Sequence, residues 1–255
     1  MDLKSSIAIN RLVGKGIELG PLNNPLPVDA DKASVKYADR LSKADALILF
    51  PELIDIKDSL VDPDLLIDFD TDSLASIKEH NFDFVIANHV IEHLVNPIQF
   101  LKNVSDNLRS GGLFFLTVPD KDFTFDKARE LTSNEHLWQE YKAGTNKLSN
   151  AHIKEFLLNK EVVNEIHPEV KRYFIENGLP LSYYNGNRIP FNPIKRKRLF
   201  DFHRSRSIHV HVWNKQTFDD FLTDVNRKEQ LGFKVLPTHD TDKIQGEMIY
   251  LLCKD

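Results

Sequence analysis

The sequence predicts an α/β fold: a seven-stranded, mostly parallel sheet with its last strand antiparallel, flanked by helices and interrupted by a helical and irregular cap. Three observations predict it. Short apolar runs alternate with amphipathic segments through the first half, as strands and crossover helices do. That rhythm breaks after Asp120 and returns at Trp213, which divides the chain into a core of residues 1–120 and 213–255 and an inserted cap of residues 121–212. The last two apolar runs are joined by the short turn Asp240 to Gly246, whereas a parallel crossover needs a dozen or more residues, so they form an antiparallel pair.

The elements follow in order. Gly16 to Gly20 reads as a strand ending in a turn, and Val35 to Asp39 as a second strand. A helix from about Leu41 to Phe50 ends at Pro51, because proline cannot continue it. Leu65 to Phe69 is the third strand. Asp83 to Asn88 is nearly all apolar, as expected of a central strand covered on both faces. Pro97 opens a helix whose Ile98, Leu101, Val104 and Leu108 recur at helical spacing up to a Gly111-Gly112 stop. Leu113 to Val118 is the fifth strand; a helix over Gln216 to Val225 and strands at Phe233 to Leu236 and Met248 to Cys253 complete the core.

Composition narrows the function classes. With 41% apolar and 28% charged residues the chain can bury a sizeable core, so it is neither disordered nor fibrous. Lys and Arg number 33 against 38 Asp and Glu, and a net charge of −5 argues against a general binder of nucleic acid. Cys253 is the single cysteine, which excludes an internal disulfide framework and fits a reducing, cytoplasmic setting. No stretch has the roughly 18 uninterrupted apolar residues of a membrane span.

The glycine turn carries the first chemical signal. A strand ending in Glu18-Leu19-Gly20-Pro21 lets the backbone turn sharply beside a ligand at the carboxyl edge of the sheet. Asp39, at the end of the next strand, is placed to accept hydrogen bonds from both hydroxyls of a ribose. Leu22 and Asn24 stand where a dinucleotide fingerprint has its second and third glycines. Pyrophosphate needs close backbone approach there, so a cofactor without phosphates is favoured over NAD or FAD.

Taken together, these residues resemble a class I S-adenosylmethionine-dependent methyltransferase, with its Rossmann-like sheet, over about 16–120 and again over 213–255. The resemblance rests on the glycine turn, Asp39, the stretch Asp70-Thr71-Asp72-Ser73-Leu74, the run Phe82 to Leu94, and Leu108 through Pro119. It implies S-adenosylmethionine as cofactor and S-adenosylhomocysteine as product. It implies Glu18, Gly20 and Pro21 beside the methionine moiety, Asp39 at the ribose, Asp70, Ser73 and Leu74 near the adenine, and Asn88 and His89 at the mouth of the fourth strand. Asp120 through Arg129, Phe200 to His203 and His209 to Trp213 resemble a bacterial subgroup associated with surface polysaccharide and capsule biosynthesis. That implies O-methylation of a polar small molecule such as a sugar or phosphorylated sugar derivative; the alternative is an inactive cofactor-binding partner subunit. His89-Val90-Ile91-Glu92-His93 also matches an inverted zinc-protease spacing, but the methyltransferase motif accounts for it and no metal is expected.

In Ile208 to Trp213, strand alternation puts His209, His211 and Trp213 on one face. His211 or His209 is the expected general base for an alcohol acceptor, with Asp120 next. Lys121 and Arg129 after the fifth strand, and His203, Arg204 and Arg206 in the cap, are the expected substrate contacts, the arginines suiting an anionic group.

Overall fold

A computed structural model describes residues 2–72, 81–161, 166–185, 187–238 and 246–255. The sheet runs in the order β3-β2-β1-β4-β5-β7-β6, from β1 (Gly14–Leu19), β2 (Ala33–Asp39), β3 (Leu65–Leu66), β4 (Phe82–Asn88), β5 (Leu108–Pro119), β6 (Phe233–Leu236) and β7 (Glu247–Lys254). Strands β1 to β5 pair in parallel, and β7 is antiparallel to both β5 and β6. The expected seven-stranded α/β sheet is therefore the one observed. The expected turn from Asp240 to Gly246 lies, but for Gly246, outside the described residues.

Helices cover both faces. On one side α1 (Leu3–Arg11), capped by the Asp2 side chain on Ser5 N–H, packs Ile7 and Ala8 against Phe84, Ile86, Phe115 and Leu251. On the other, α3 (Pro97–Asn107) and α9 (Lys215–Lys228) bury Ile98, Leu101, Phe218 and Phe221 against Ile17, Val85, Phe114 and Leu252. Alternate residues of β4 thus serve opposite cores, as a two-residue side-chain period requires. Short α2 (Lys43–Leu49) follows β2.

The remaining helices are α4 (Asn134–Ala143), α5 (Asn150–Asn159), α6 (Pro168–Glu176), α7 (Ser182–Asn185) and α8 (Pro193–Arg206). Ile153, Leu157, Val170, Phe174, Leu199 and Phe202 from α5, α6 and α8 form a separate apolar core. α4 differs: Leu137 is buried in the core of the sheet, with Trp138 and Tyr141 packed against it, although its sequence position is inside the insertion. Among the described residues no helix is long and apolar enough to cross a membrane.

Two expectations need correction. The third strand shrinks to Leu65–Leu66: Ile67 N–H still donates to the Asp39 carbonyl, but a turn closed by Asp72 N–H on the Asp68 carbonyl then ends the pairing. The helix from Pro97 ends at Asn107 rather than at Gly111-Gly112, and β5 begins at Leu108. The two glycines sit inside the strand, where pairing with β4 slips from Phe82↔Leu108 to Phe84↔Leu113. The ion pair of Arg109 Nε with Asp83 at 2.6 Å anchors that irregular stretch.

Candidate active site

A cavity of about 650 Å³ opens at the carboxyl ends of β1, β2 and β4, where the strand order reverses around β1. Ligands of open α/β sheets bind at such a point, in pockets of roughly this size. Leu22, Leu41, Phe50, Phe69 and Leu94 supply apolar wall; Asp39, Asp68 and Asp70 supply carboxylates.

Gly20 forms one rim at φ 65°, and a Cβ there would stand 2.9 Å from Val90 Cγ2. Any side chain would close the rim, so the glycine keeps a cradle open. Leu22 keeps the turn in the left-handed region at φ 45° although it lacks glycine's freedom. Asp39 ends β2 with Oδ1 accepting Arg40 N–H at 2.7 Å; burial raises its pKa, against the pull of neighbouring amides. Asp70 Oδ1 accepts Val95 N–H at 2.8 Å and Asn96 N–H at 3.3 Å. Burial pushes it up to about 6.

The far wall is made of histidines. His89, at φ 56°, and His93 both line the cavity, on either side of the fully buried Glu92. His89 Nε2 lies 3.0 Å from Glu247 Oε1, and Nδ1 lies 3.4 Å from Glu92 Oε1. Burial alone would lower its pKa, but these two carboxylates raise it to about 9. The segment from Ser207 to Trp213 runs beside this wall, with Val210 N–H donating to the Glu92 carbonyl at 2.7 Å.

Several sequence-derived residues meet here. Gly20, Asp39, Asp70, His89, Arg204 and Arg206 line the cavity. Arg206 ion-pairs with Glu52 and stacks on Phe50, its Cζ 4.6 Å from the ring centroid; Arg204 pairs with Asp201 at 2.9 Å. Ser73 and Leu74 lie outside the described residues.

Others are placed elsewhere, each for a visible reason. Glu18 is completely buried and accepts Leu26 N–H through both oxygens (2.9 and 3.1 Å), so it shapes the loop rather than touching the cavity. Burial raises its pKa to about 8. Pro21 is buried beneath the turn, and Asn88 accepts from Thr117 Oγ1. Asp120 caps a 3-10 turn, accepting Asp122 N–H at 3.1 Å, and Lys121 Nζ donates to the Lys127 carbonyl at 3.0 Å. Arg129 is 2% exposed and clamps Asp126 (2.8 Å), Glu155 (2.5 Å) and the His209 carbonyl (2.8 Å), leaving no free face for a substrate. His203 packs among Phe156, Tyr184 and Phe202, and burial takes it down to about 3.

The segment 208–213 is not a regular strand, and its two histidines part company. His211 is 1% exposed; its Nε2 faces the Val95 carbonyl at 3.2 Å, and burial lowers it to about 3. It belongs to a group with His136, Glu140 and His152 away from the cavity, so it is not placed to act as base. His209 turns the other way, its Nδ1 2.6 Å from Asp126 Oδ2 and its ring 4.8 Å from that of His93. Sequence reading passed over Glu92 and His93 as accounted for; their proximity to a histidine from the far end of the cap was the missing signal.

The sequence matches the profile of a family described as "Methyltransferase domain" over residues 23–159. Solved structures give distant likenesses. An S-adenosylmethionine-dependent methyltransferase from Clostridium acetobutylicum is 11% identical with a TM-score of 0.48, covering 100% of this chain and 92% of that one. The CurJ carbon methyltransferase is 12% identical (TM-score 0.44, 98% and 53% covered), and an O-methyltransferase family protein from Burkholderia thailandensis is 10% identical (TM-score 0.45, 100% and 55% covered). The chain thus spans about half the length of the latter two. No curated protein matches the sequence.

Proposed function

The chain belongs to the methyltransferase-domain family, and from that premise we propose that it transfers a methyl group to an oxygen of a polar small molecule, such as a sugar or phosphorylated sugar derivative of bacterial surface polysaccharide. The cofactor is S-adenosylmethionine. The residues of the cavity fit it: Gly20 leaves the rim open, the carboxylates Asp39, Asp68 and Asp70 suit ribose hydroxyls and a sulfonium cation, and Leu22 replaces the glycine that a pyrophosphate needs.

When bound, the cofactor supplies a methyl group already activated for in-line displacement. The protein's task is then to align the acceptor and exclude water. Asp39 holds the ribose, and the apolar wall of Leu41, Phe69 and Leu94 excludes solvent. Lys147 and Arg204 face the same cavity and suit an anionic group on the acceptor. His93 lines the same cavity, with Glu92 and His209 beside it, and this wall faces the acceptor hydroxyl. The observation that carries this reading is that Asp39, Asp70, His89 and His93 line one cavity.

Thermal unfolding with and without S-adenosylmethionine, followed by assay of S-adenosylhomocysteine release with sugars, sugar phosphates and amines, tests it. Stabilisation by the cofactor and turnover on a hydroxylated acceptor are expected. Stabilisation with turnover only on amines, or on nothing, overturns the O-methylation reading.

A further inference from the structure

Glu92 is the group that the fold itself leaves unexplained. It is 0% exposed, and its nearest neighbouring donor, His89 Nδ1, stands 3.4 Å from Oε1 without forming a hydrogen bond, so neither carboxylate oxygen is bonded. A buried carboxylate without donors is costly, and such groups persist where a ligand completes them.

The two imidazoles beside it are already oriented. His93 Nδ1 lies 2.9 Å from the Ile208 carbonyl, which can only accept, so that nitrogen carries the proton and Nε2 keeps its lone pair. His209 Nδ1 donates to Asp126 Oδ2 at 2.6 Å, so in the neutral ring Nε2 carries the lone pair. His93 Nε2 stands 3.8 Å from Glu92 Oε1, and one ligand atom from each of Glu92, His93 and His209 lies within 4.8 Å of the other two. The Nε2 atoms of the two rings are thus the nitrogens left for a ligand beside the Glu92 carboxylate. Asp126 behind His209 is fixed in turn by Arg129, the carboxylate-behind-histidine arrangement that supports metal ligands.

We propose that Glu92, His93 and His209 form a divalent transition-metal site in the wall of the cavity. Two imidazoles and one carboxylate suit Zn²⁺, Mn²⁺, Fe²⁺ or Co²⁺ better than Ca²⁺ or Mg²⁺. His93 borders the cavity, so the site's open side faces it, and the ligand it takes there is a hydroxyl oxygen of the acceptor. That last step rests on the proposed function; the metal site itself stands on the geometry. The neighbouring group of His136, Glu140, His152 and His211 also has a buried carboxylate oxygen without a partner, Glu140 Oε2, but its imidazoles are turned to protein partners. His152 Nδ1 accepts Ser149 N–H at 3.4 Å, which puts its proton on Nε2, 2.9 Å from Glu140, and His211 Nε2 is turned to the Val95 carbonyl.

Titration of the chelator-treated chain with Co²⁺ alone tests the site. The expected result is one Co²⁺ per chain with visible d–d absorption, weakened at least tenfold in Glu92→Gln and in the double variant His93→Ala/His209→Ala, and unchanged in His136→Ala. A cooperative thermal unfolding transition without ligand serves as the check that each variant is folded. No uptake of Co²⁺, equal uptake by the double variant, or loss of uptake in His136→Ala overturns the site. Stabilisation by the cofactor without Co²⁺ uptake overturns the metal site and leaves the proposed function standing. Co²⁺ uptake at Glu92 without stabilisation by the cofactor supports the site and counts against the proposed function.

Discussion

A carboxylate at the end of β2 and another buried inside β1 look alike in sequence and do different work. Asp39 opens on the cavity, so Asp39→Ala should weaken S-adenosylmethionine binding by a factor of about 10 to 100, the value of one charge-assisted hydrogen bond, in a calorimetric titration. Glu18 faces Leu26 N–H instead, and its pKa is raised from 4.5 to about 8 because burial penalises the charge. The folded chain therefore keeps a proton that the unfolded chain has lost between those two values. Stability falls as pH rises through that window and flattens above it. Glu18→Gln removes this proton, so the stability of the wild type relative to the variant should decline from pH 4.5 to 8 in denaturant titrations. A parallel pair of curves would show that Glu18 does not titrate there.

Between residue and fold, the turn after β1 decides whether the cavity exists. Gly20 has a positive φ and would meet Val90 Cγ2 at 2.9 Å if given a Cβ. Gly20→Ala should cost about 1 kcal/mol or more of stability and lower cofactor affinity, because strain and contact act on the same rim. Unchanged affinity in the same titration would mean that the rim lies outside the bound cofactor's outline. Much of this level was legible in advance: β1, β2 and β4 lie close to where apolar periodicity put them, and Pro97 does open α3. The misread end of α3 has a local cause, since Gly111 and Gly112 serve an irregular stretch of β5 that only pairing with β4 reveals.

Across the whole molecule, Arg129 ties together pieces distant in sequence. Its guanidinium joins Asp126, Glu155 on α5 and the carbonyls of His209 and Val210, so the two ends of the cap share one buried clamp. Arg129→Ala leaves the buried Asp126 without its guanidinium partner and should destabilise the chain by about 3–5 kcal/mol. It should also raise amide exchange in α5 and at residues 208–212 before the sheet. Uniform exchange throughout would instead make the clamp part of one global unit. By itself the sequence determined the α/β class, the central strands and Asp39 at the end of β2, because periodicity, proline and glycine act locally; Asp70 entered through the family resemblance. Only the tertiary structure decided that His209 joins Glu92 and His93 while His211 turns to Glu140, and that Arg129 is interior. Alternation along a segment says which residues share a face; which partners meet that face is set by packing of elements far apart in the chain.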